Sequence, residues 1–160
     1  MTSHPTNQPT TNQPTAGQRT AGSTTTLALQ SVLAGEHATI YGYGVAGAQL
    51  TGSGRSRALS DYNSHRARRD QLEALIQARG AQPVAAAASY DLPSPVTTAD
   101  EAVVLATQLE ERLAAVWADA VSTLSGDLRA LAVRGLSEAA LSAARWRGGS
   151  VPFPGLPERS

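Results

Sequence analysis

Two of the thirteen acidic residues in this 160-residue chain fall where apolar side chains are due. Glu36 interrupts the series Leu29, Val32, Leu33, Ile40, Tyr43, and Glu110 interrupts Val103, Ala106, Leu113, Trp117. Both series keep three- and four-residue spacing, which on a helix sets each carboxylate on the buried stripe. A carboxylate there needs a cation, a metal ion or several hydrogen-bond donors. Cations are at hand in one short stretch holding His65, Arg66, Arg68 and Arg69. The pattern predicts that Arg69 or Arg66 neutralises Glu36, and that a second cation (His65, His37 or Arg134) neutralises Glu110. Tyr43, flanked by glycines, is placed to pack on this knot or bond to it. The expected site is therefore a buried polar cluster of Glu36, His65, Arg66, Arg69, Glu110 and Tyr43.

Iron is the competing solution. A carboxylate-bridged di-iron centre draws one Glu from each of two helices and a Glu-X-X-His from each of two others. Glu36 and Glu110 fit the single-Glu positions. His65 is preceded only by Asp61 at four-residue spacing, and Glu138 has no histidine near it. The arginines beside His65 would also repel a divalent ion and claim the carboxylates for themselves. The expectation is no cofactor, with iron held by an abbreviated set of Glu36, His65, Glu110 and Glu138 as the alternative. His37 follows Glu36 by one residue, points about 100° away and reads as a flank residue. The sequence holds no nucleophile–base–acid triad, phosphate loop or nucleotide fingerprint.

Four helices position these residues. The first is expected over 25–50, capped by Ser23, Thr24 or Thr25, with Gly42, Gly44 and Gly47 admitting a close neighbour. The second spans 55–79 and stops at Gly80. The third opens with the capping box Thr98-Ala-Asp-Glu101 and runs to 123. Ser125 caps the fourth, which runs to 147 and ends at Gly148-Gly149. Residues 80–97 hold Pro83, Pro93 and Pro95. Extended, they reach roughly 55–60 Å, more than the roughly 37 Å of a 25-residue helix. They can therefore cross the full height of a bundle and set the second and third helices parallel. The fold class is all-α: antiparallel first–second and third–fourth pairs joined by one long crossover, the connectivity of a ferritin-like four-helix bundle. Trp117 and Trp146 read as core or interface anchors.

The ends differ in composition. Residues 1–23 are rich in Thr, Gln and Pro with a near-repeated Thr-Asn-Gln-Pro unit, offer little to bury, and are expected to be a disordered tail. They lack the basic start and apolar run of a secretory leader. The folded unit is expected over 24–148. A Pro-rich tail over 149–160 is expected to lie along the bundle through Val151 and Phe153. No run of eighteen apolar residues occurs, so no membrane span is expected, and the cytoplasm is the default compartment. The chain has zero net charge, 4% aromatic residues, no cysteine and no lysine. A nucleic-acid partner is not expected, and disulfides and thiolate metal sites are excluded.

The run Leu-Gln-Ser-Val-Leu-Ala-Gly-Glu36-His37-Ala-Thr-Ile-Tyr41-Gly-Tyr43-Gly, then His65-Arg-Ala-Arg68-Arg69-Asp70, then Leu109-Glu110, resembles a family of small ferritin-like proteins from high-GC bacteria that carries only a domain-of-unknown-function label. The resemblance covers about residues 24–148. It implies a ferritin-like four-helix fold and no established activity; by analogy such bundles often pair through flat helix faces, which leaves a homodimer open and the oligomeric state unassigned. The functional expectation is a non-catalytic interaction or small-ligand-binding module without a complete di-iron site. The alternative is a metal-dependent oxidase or iron-handling protein.

Overall fold

A computed structural model describes residues 16–149. They form four helices: α1 (Ala16–Gln49), α2 (Gly52–Gln77), α3 (Ala99–Thr123) and α4 (Gly126–Arg147). Among the described residues there is no strand, and no helix is long and apolar enough to cross a membrane. The protein is an all-α four-helix bundle.

α1 starts nine residues earlier than its expected beginning. Pro14 is the last proline before it, and 16–24 contain no residue that breaks a helix outright, so the α-helical hydrogen bonds continue through Ser23, Thr24 and Thr25. None of these three is therefore a cap. Expectations for 1–15 and for a C-terminal strap through Val151 and Phe153 fall outside the described residues. α2 and α3 lie within three residues of their expected limits. The box at the start of α3 is complete: the Glu101 amide donates to Thr98 Oγ1 at 3.2 Å, and the Thr98 amide donates to Glu101 Oε2 at 2.9 Å. Amide and hydroxyl donors from Thr97 and Thr98 hold the Glu101 carboxyl below its ordinary pKa. Ser125 precedes α4 but makes no side-chain cap bond, a departure from the expected capping role. Gly148 ends α4 at φ +80, and the Gly149 amide returns to Ala144 O at 3.1 Å, the six-to-one closure that a left-handed glycine permits.

The crossover does rise along the bundle. At its start, Gln30 of α1 clamps it twice: Nε2 donates to Gln82 O at 2.6 Å and Oε1 accepts from the Val84 amide at 2.8 Å. Farther on, Tyr90 packs on Tyr41 with ring centroids 5.5 Å apart, and Leu92 and Val96 join the apolar cluster around Leu50. The crossover thus travels from the level of Gln30 to the far end of α1, and α3 begins where α2 began. α2 and α3 run parallel, as the reach of 80–97 predicts.

Small residues bring these helices close. α1 packs on α2 and on α3, and α3 on α4. A Cβ at Gly135 would lie 2.4 Å from Cε2 of the fully buried Trp117 ring, and one at Gly42 would lie 2.5 Å from Cδ1 of Leu109. Gly44 and Gly47, also expected to admit a neighbour, have open space or an ordinary contact instead. Trp117 and Trp146 are both buried, so they are core residues and share no exposed face.

The two tight glycines differ in what a methyl group would strike. The Leu109 tip can swing, and alanine recovers up to about 1 kcal/mol of helix propensity, so Gly42→Ala should be nearly neutral. The Trp117 ring is rigid and enclosed, so Gly135→Ala should lose about 1–3 kcal/mol. Chemical denaturation of the two variants checks the ordering; equal effects would show that the ring has room to move.

Candidate functional site: a four-helix hydrogen-bonded relay beside a slot

The core is divided in two. One apolar cluster gathers around Leu29, Leu33, Leu72, Ile76, Leu113 and Trp117, and the other around Ala46, Leu50, Ala58, Leu105 and Leu109. The polar cluster lies between them. Glu36 and Tyr43 come from α1, Asp61 and His65 from α2, Glu110 from α3, and Ser142 and Trp146 from α4.

His65 is the centre. It is 7% exposed, and its two ring nitrogens face two carboxylates. Nδ1 is 2.8 Å from Glu36 Oε2, and Nε2 is 3.1 Å from Glu110 Oε1. Only an imidazolium has two N–H donors for two such acceptors. Burial pulls the His65 pKa down, but hydrogen bonds to Glu110 and Glu36, and their charges, outweigh it and hold the pKa up at about 9. Tyr43 stacks beside the imidazole with centroids 5.3 Å apart and donates to Glu110 Oε1 at 2.6 Å. Burial, then the charge and hydrogen bond of Glu110, then Asp61, drive the Tyr43 pKa far upward, so the phenol stays protonated.

The chain of contacts continues beyond Tyr43. Trp146 Nε1 divides its single hydrogen between Tyr43 Oη and Asp61 Oδ2, each at 2.9 Å. Ser142 Oγ lies 3.3 Å from the same Asp61 oxygen. The relay thus joins all four helices. Two of its oxygens, Glu36 Oε1 and Glu110 Oε2, have no hydrogen-bond partner among the described residues.

Removing the Tyr43 hydroxyl takes one donor from Glu110 and one acceptor from Trp146. Tyr43→Phe should lower stability by about 1–3 kcal/mol, because buried acceptors lose a charge-assisted bond. Asp61→Asn in the Tyr43→Phe background should add little, since the two act through one junction; full additivity in a denaturation cycle would show them to be independent.

The expected pairing of Glu36 with an arginine is corrected. Glu36 meets His65. Arg69 binds Asp70 Oδ1 through Nε and Nη2 at 2.8 and 2.6 Å, and Arg66 is exposed with its guanidinium 5.8 Å from the Tyr62 ring centroid. The reason is helix phase. The inner stripe of α2 runs Ala58, Asp61, His65, Arg68, Leu72, Ile76, which leaves 69 at its edge and 66 farther round on the same side. Arg134 is exposed, and His37 Nε2 is 3.1 Å from Val84 O, so it contacts the crossover rather than Glu110. Glu36, His65, Glu110 and Tyr43 are brought together; Arg66 and Arg69 are not.

Glu138, the fourth member of the alternative iron set, is exposed on α4 and pairs with Arg68. The imidazole of His65 stands between Glu36 and Glu110, and both of its nitrogens are engaged. Among the described residues no group of three or more His, Asp or Glu side chains could hold a metal ion. Glu36, His65 and Glu110 give three close donors, against about six protein side chains in a carboxylate-bridged di-iron pair.

Beside the relay, α2 and α4 part. They are linked by Arg68 to Glu138 and by Arg57 Nη1 to Arg145 O at 3.2 Å. Between these links lies a slot of about 200 Å3. Its floor includes His65, Glu110 and Asp61, and its mouth includes Ser64, Glu138 and Arg145. Ser142, Trp146 and Arg145 were not foreseen as site residues. Asp61 carried a signal, since it precedes His65 by four residues and so shares its face.

The protein is thus a small four-helix bundle with Glu36, His65 and Glu110 bonded together in its core. Residues 28–158 match the family described as a domain of unknown function, DUF4439, and the chain belongs to that family. It is similar to the crystal structure of a conserved hypothetical protein, rv2844, from Mycobacterium tuberculosis, at 38% identity and a TM-score of 0.76, over 79% of this chain and 97% of that one. No significant match occurs among curated proteins. The expected family of unknown function from high-GC bacteria is the one found.

Proposed function

We propose that this protein is a non-catalytic, ferritin-like bundle that binds a small polar ligand in the slot between α2 and α4, without an iron centre. The observation that carries the reading is the slot itself: its lining brings His65 and Glu110 of the polar cluster together with Asp61, Ser64 and Ser142. The volume is below that of pockets for drug-sized molecules, which points to a compact ligand. The single long crossover supports the ferritin-like assignment.

Protein-observed NMR with a library of small polar compounds tests this. Binders should shift the signals of Ser64, His65 and Ser142 together, and Ser64→Trp, at the mouth, should block them. Binders that leave these three residues unmoved would end the slot reading. Elemental analysis of protein grown with iron tests the second half; near-stoichiometric iron would overturn it.

A further inference from the structure

The crossover covers part of the α1–α3 groove and leaves a hollow of about 160 Å3 beneath it. Its apolar walls are Leu92 of the crossover and Leu109, Leu113 and Val116 of α3, and Leu109 and Leu113 are buried. α1 contributes only small residues there, among them Ala38. Two hydroxyls also line the hollow, and both are engaged. Thr39 Oγ1 donates to Gly35 O at 2.9 Å, and Tyr90 Oη accepts from the Ala87 amide at 2.9 Å. Charge enters only at exposed residues, Asp91 of the crossover and Arg112 of α3. These two have opposite signs, and neither makes an ion pair among the described residues.

This lining selects the occupant. An enclosed water needs about two to four polar partners, and hydroxyls already engaged offer few. An apolar cavity of about 150 Å3 stays dry and takes benzene. A charged molecule meets a like charge whichever its sign, at Asp91 or at Arg112. A neutral apolar molecule of about one ring suits both the volume and the walls.

A way in is given by how the crossover is held. Its ends are pinned. Gln30 clamps residues 82 and 84, and His37 Nε2 is 3.1 Å from Val84 O; at the far end the Thr97 amide donates to Glu101 Oε2 at 2.8 Å. Between them, residues 85–96 make one hydrogen bond among the described residues, from Ala87 to Tyr90, and it is internal to the crossover. Residues 85–89 are four alanines and a serine, all exposed. Side-chain packing alone holds this span to the helices, through Tyr90 on Tyr41 and through Leu92 and Val96. A segment with few buried contacts and no backbone bonds to its neighbours opens at low cost.

We propose that the hollow under the crossover binds a neutral apolar molecule of about one ring, and that residues 85–93 lift to admit it. This site is separate from the α2–α4 slot and takes a ligand of opposite chemistry.

Protein-observed NMR with toluene as the neutral ring, benzoate as its anion and benzylamine as its cation tests the proposal. Toluene should shift Thr39, Tyr90 and Leu113 with a Kd of about 1 mM or below, and leave Ser64, His65 and Ser142 unmoved. Benzoate and benzylamine should bind at least about tenfold more weakly. Ala38→Phe, which fills the hollow from α1, should abolish the shifts; Val116→Phe fills it from α3 and serves if the first variant does not fold. Tyr41→Ala removes the ring contact on Tyr90 and should speed exchange between bound and free toluene severalfold. Shifts absent at saturating toluene, a charged ring binding as tightly as the neutral one, or binding that survives either filled hollow would each overturn the site. Exchange unchanged in Tyr41→Ala would overturn the lifting of 85–93.

Discussion

His65→Leu should destabilise the protein by about 3–5 kcal/mol, the range for removing one partner from a buried ionic cluster. Leucine approximates the volume of the ring, so little of the loss comes from packing. The loss comes from what remains. Among the described residues Glu36 Oε1 already lacks a partner, and without Nδ1 its second oxygen lacks one too. Glu110 keeps only the Tyr43 hydroxyl. Two carboxylates in a buried layer between apolar clusters would then face each other without a cation. With a typical total stability of about 5–15 kcal/mol, such a variant sits near the folding threshold. Arg69→Met is the control: its partner is an exposed neighbouring aspartate, so it should cost less than about 1 kcal/mol and show no coupling to Glu36→Gln. Denaturant unfolding of the single and double variants decides. A loss below about 1 kcal/mol for His65→Leu would mean that the imidazole is packing material and not the counter-charge.

Raising the pH should weaken the protein through the same group. The His65 pKa is about 9 in the folded chain against an ordinary value of 6.5, so the native state binds the proton more tightly than the unfolded state. Stability from this source is fully present below about pH 6.5 and declines as pH rises through about 9. The whole decline is worth roughly 3 kcal/mol. Glu36 and Glu110 face the ring on its two nitrogen edges, Tyr43 lies on its face, and Asp61 and Arg68 flank it on α2. Unfolding free energies between pH 6 and 9.5 should fall for the wild type and stay nearly level for His65→Leu, so the gap between the two narrows with pH. Parallel curves would place the titrating group elsewhere.

The bundle was legible because its signals are local. Apolar three/four spacing, the Thr98–Glu101 box, Gly80, Gly148 and the reach of 80–97 each act within a few residues, and together they determine the connectivity. The carboxylates were legible for the same reason: an acid on an oily stripe is visible in one dimension. Their partner was not. Choosing among His65, Arg66 and Arg69 requires the rotational phase of α2 to within about 40°, and its apolar residues become frequent only from Leu72 onward. Trp146 was hidden because its indole N–H serves Tyr43 and Asp61 from the far end of the chain, a match that only packing defines. The slot follows from the wider separation of α2 and α4, a property of neither sequence alone. Ser125 shows the converse: a residue of suitable type at the start of a helix whose side chain makes no cap bond.

The crossover lies against α1, where Gln30, His37 and Tyr41 hold it, away from the α2–α4 slot. Ser64, Glu138 and Arg145 stand at the entrance on two different helices and face solvent, so replacing any of them leaves the buried layer untouched. On the proposed slot reading, selectivity and foldability fall to separate sets of positions. A lineage of such bundles can change what it recognises by exchanging gate residues one at a time, while the charged centre that ties the four helices stays as it is.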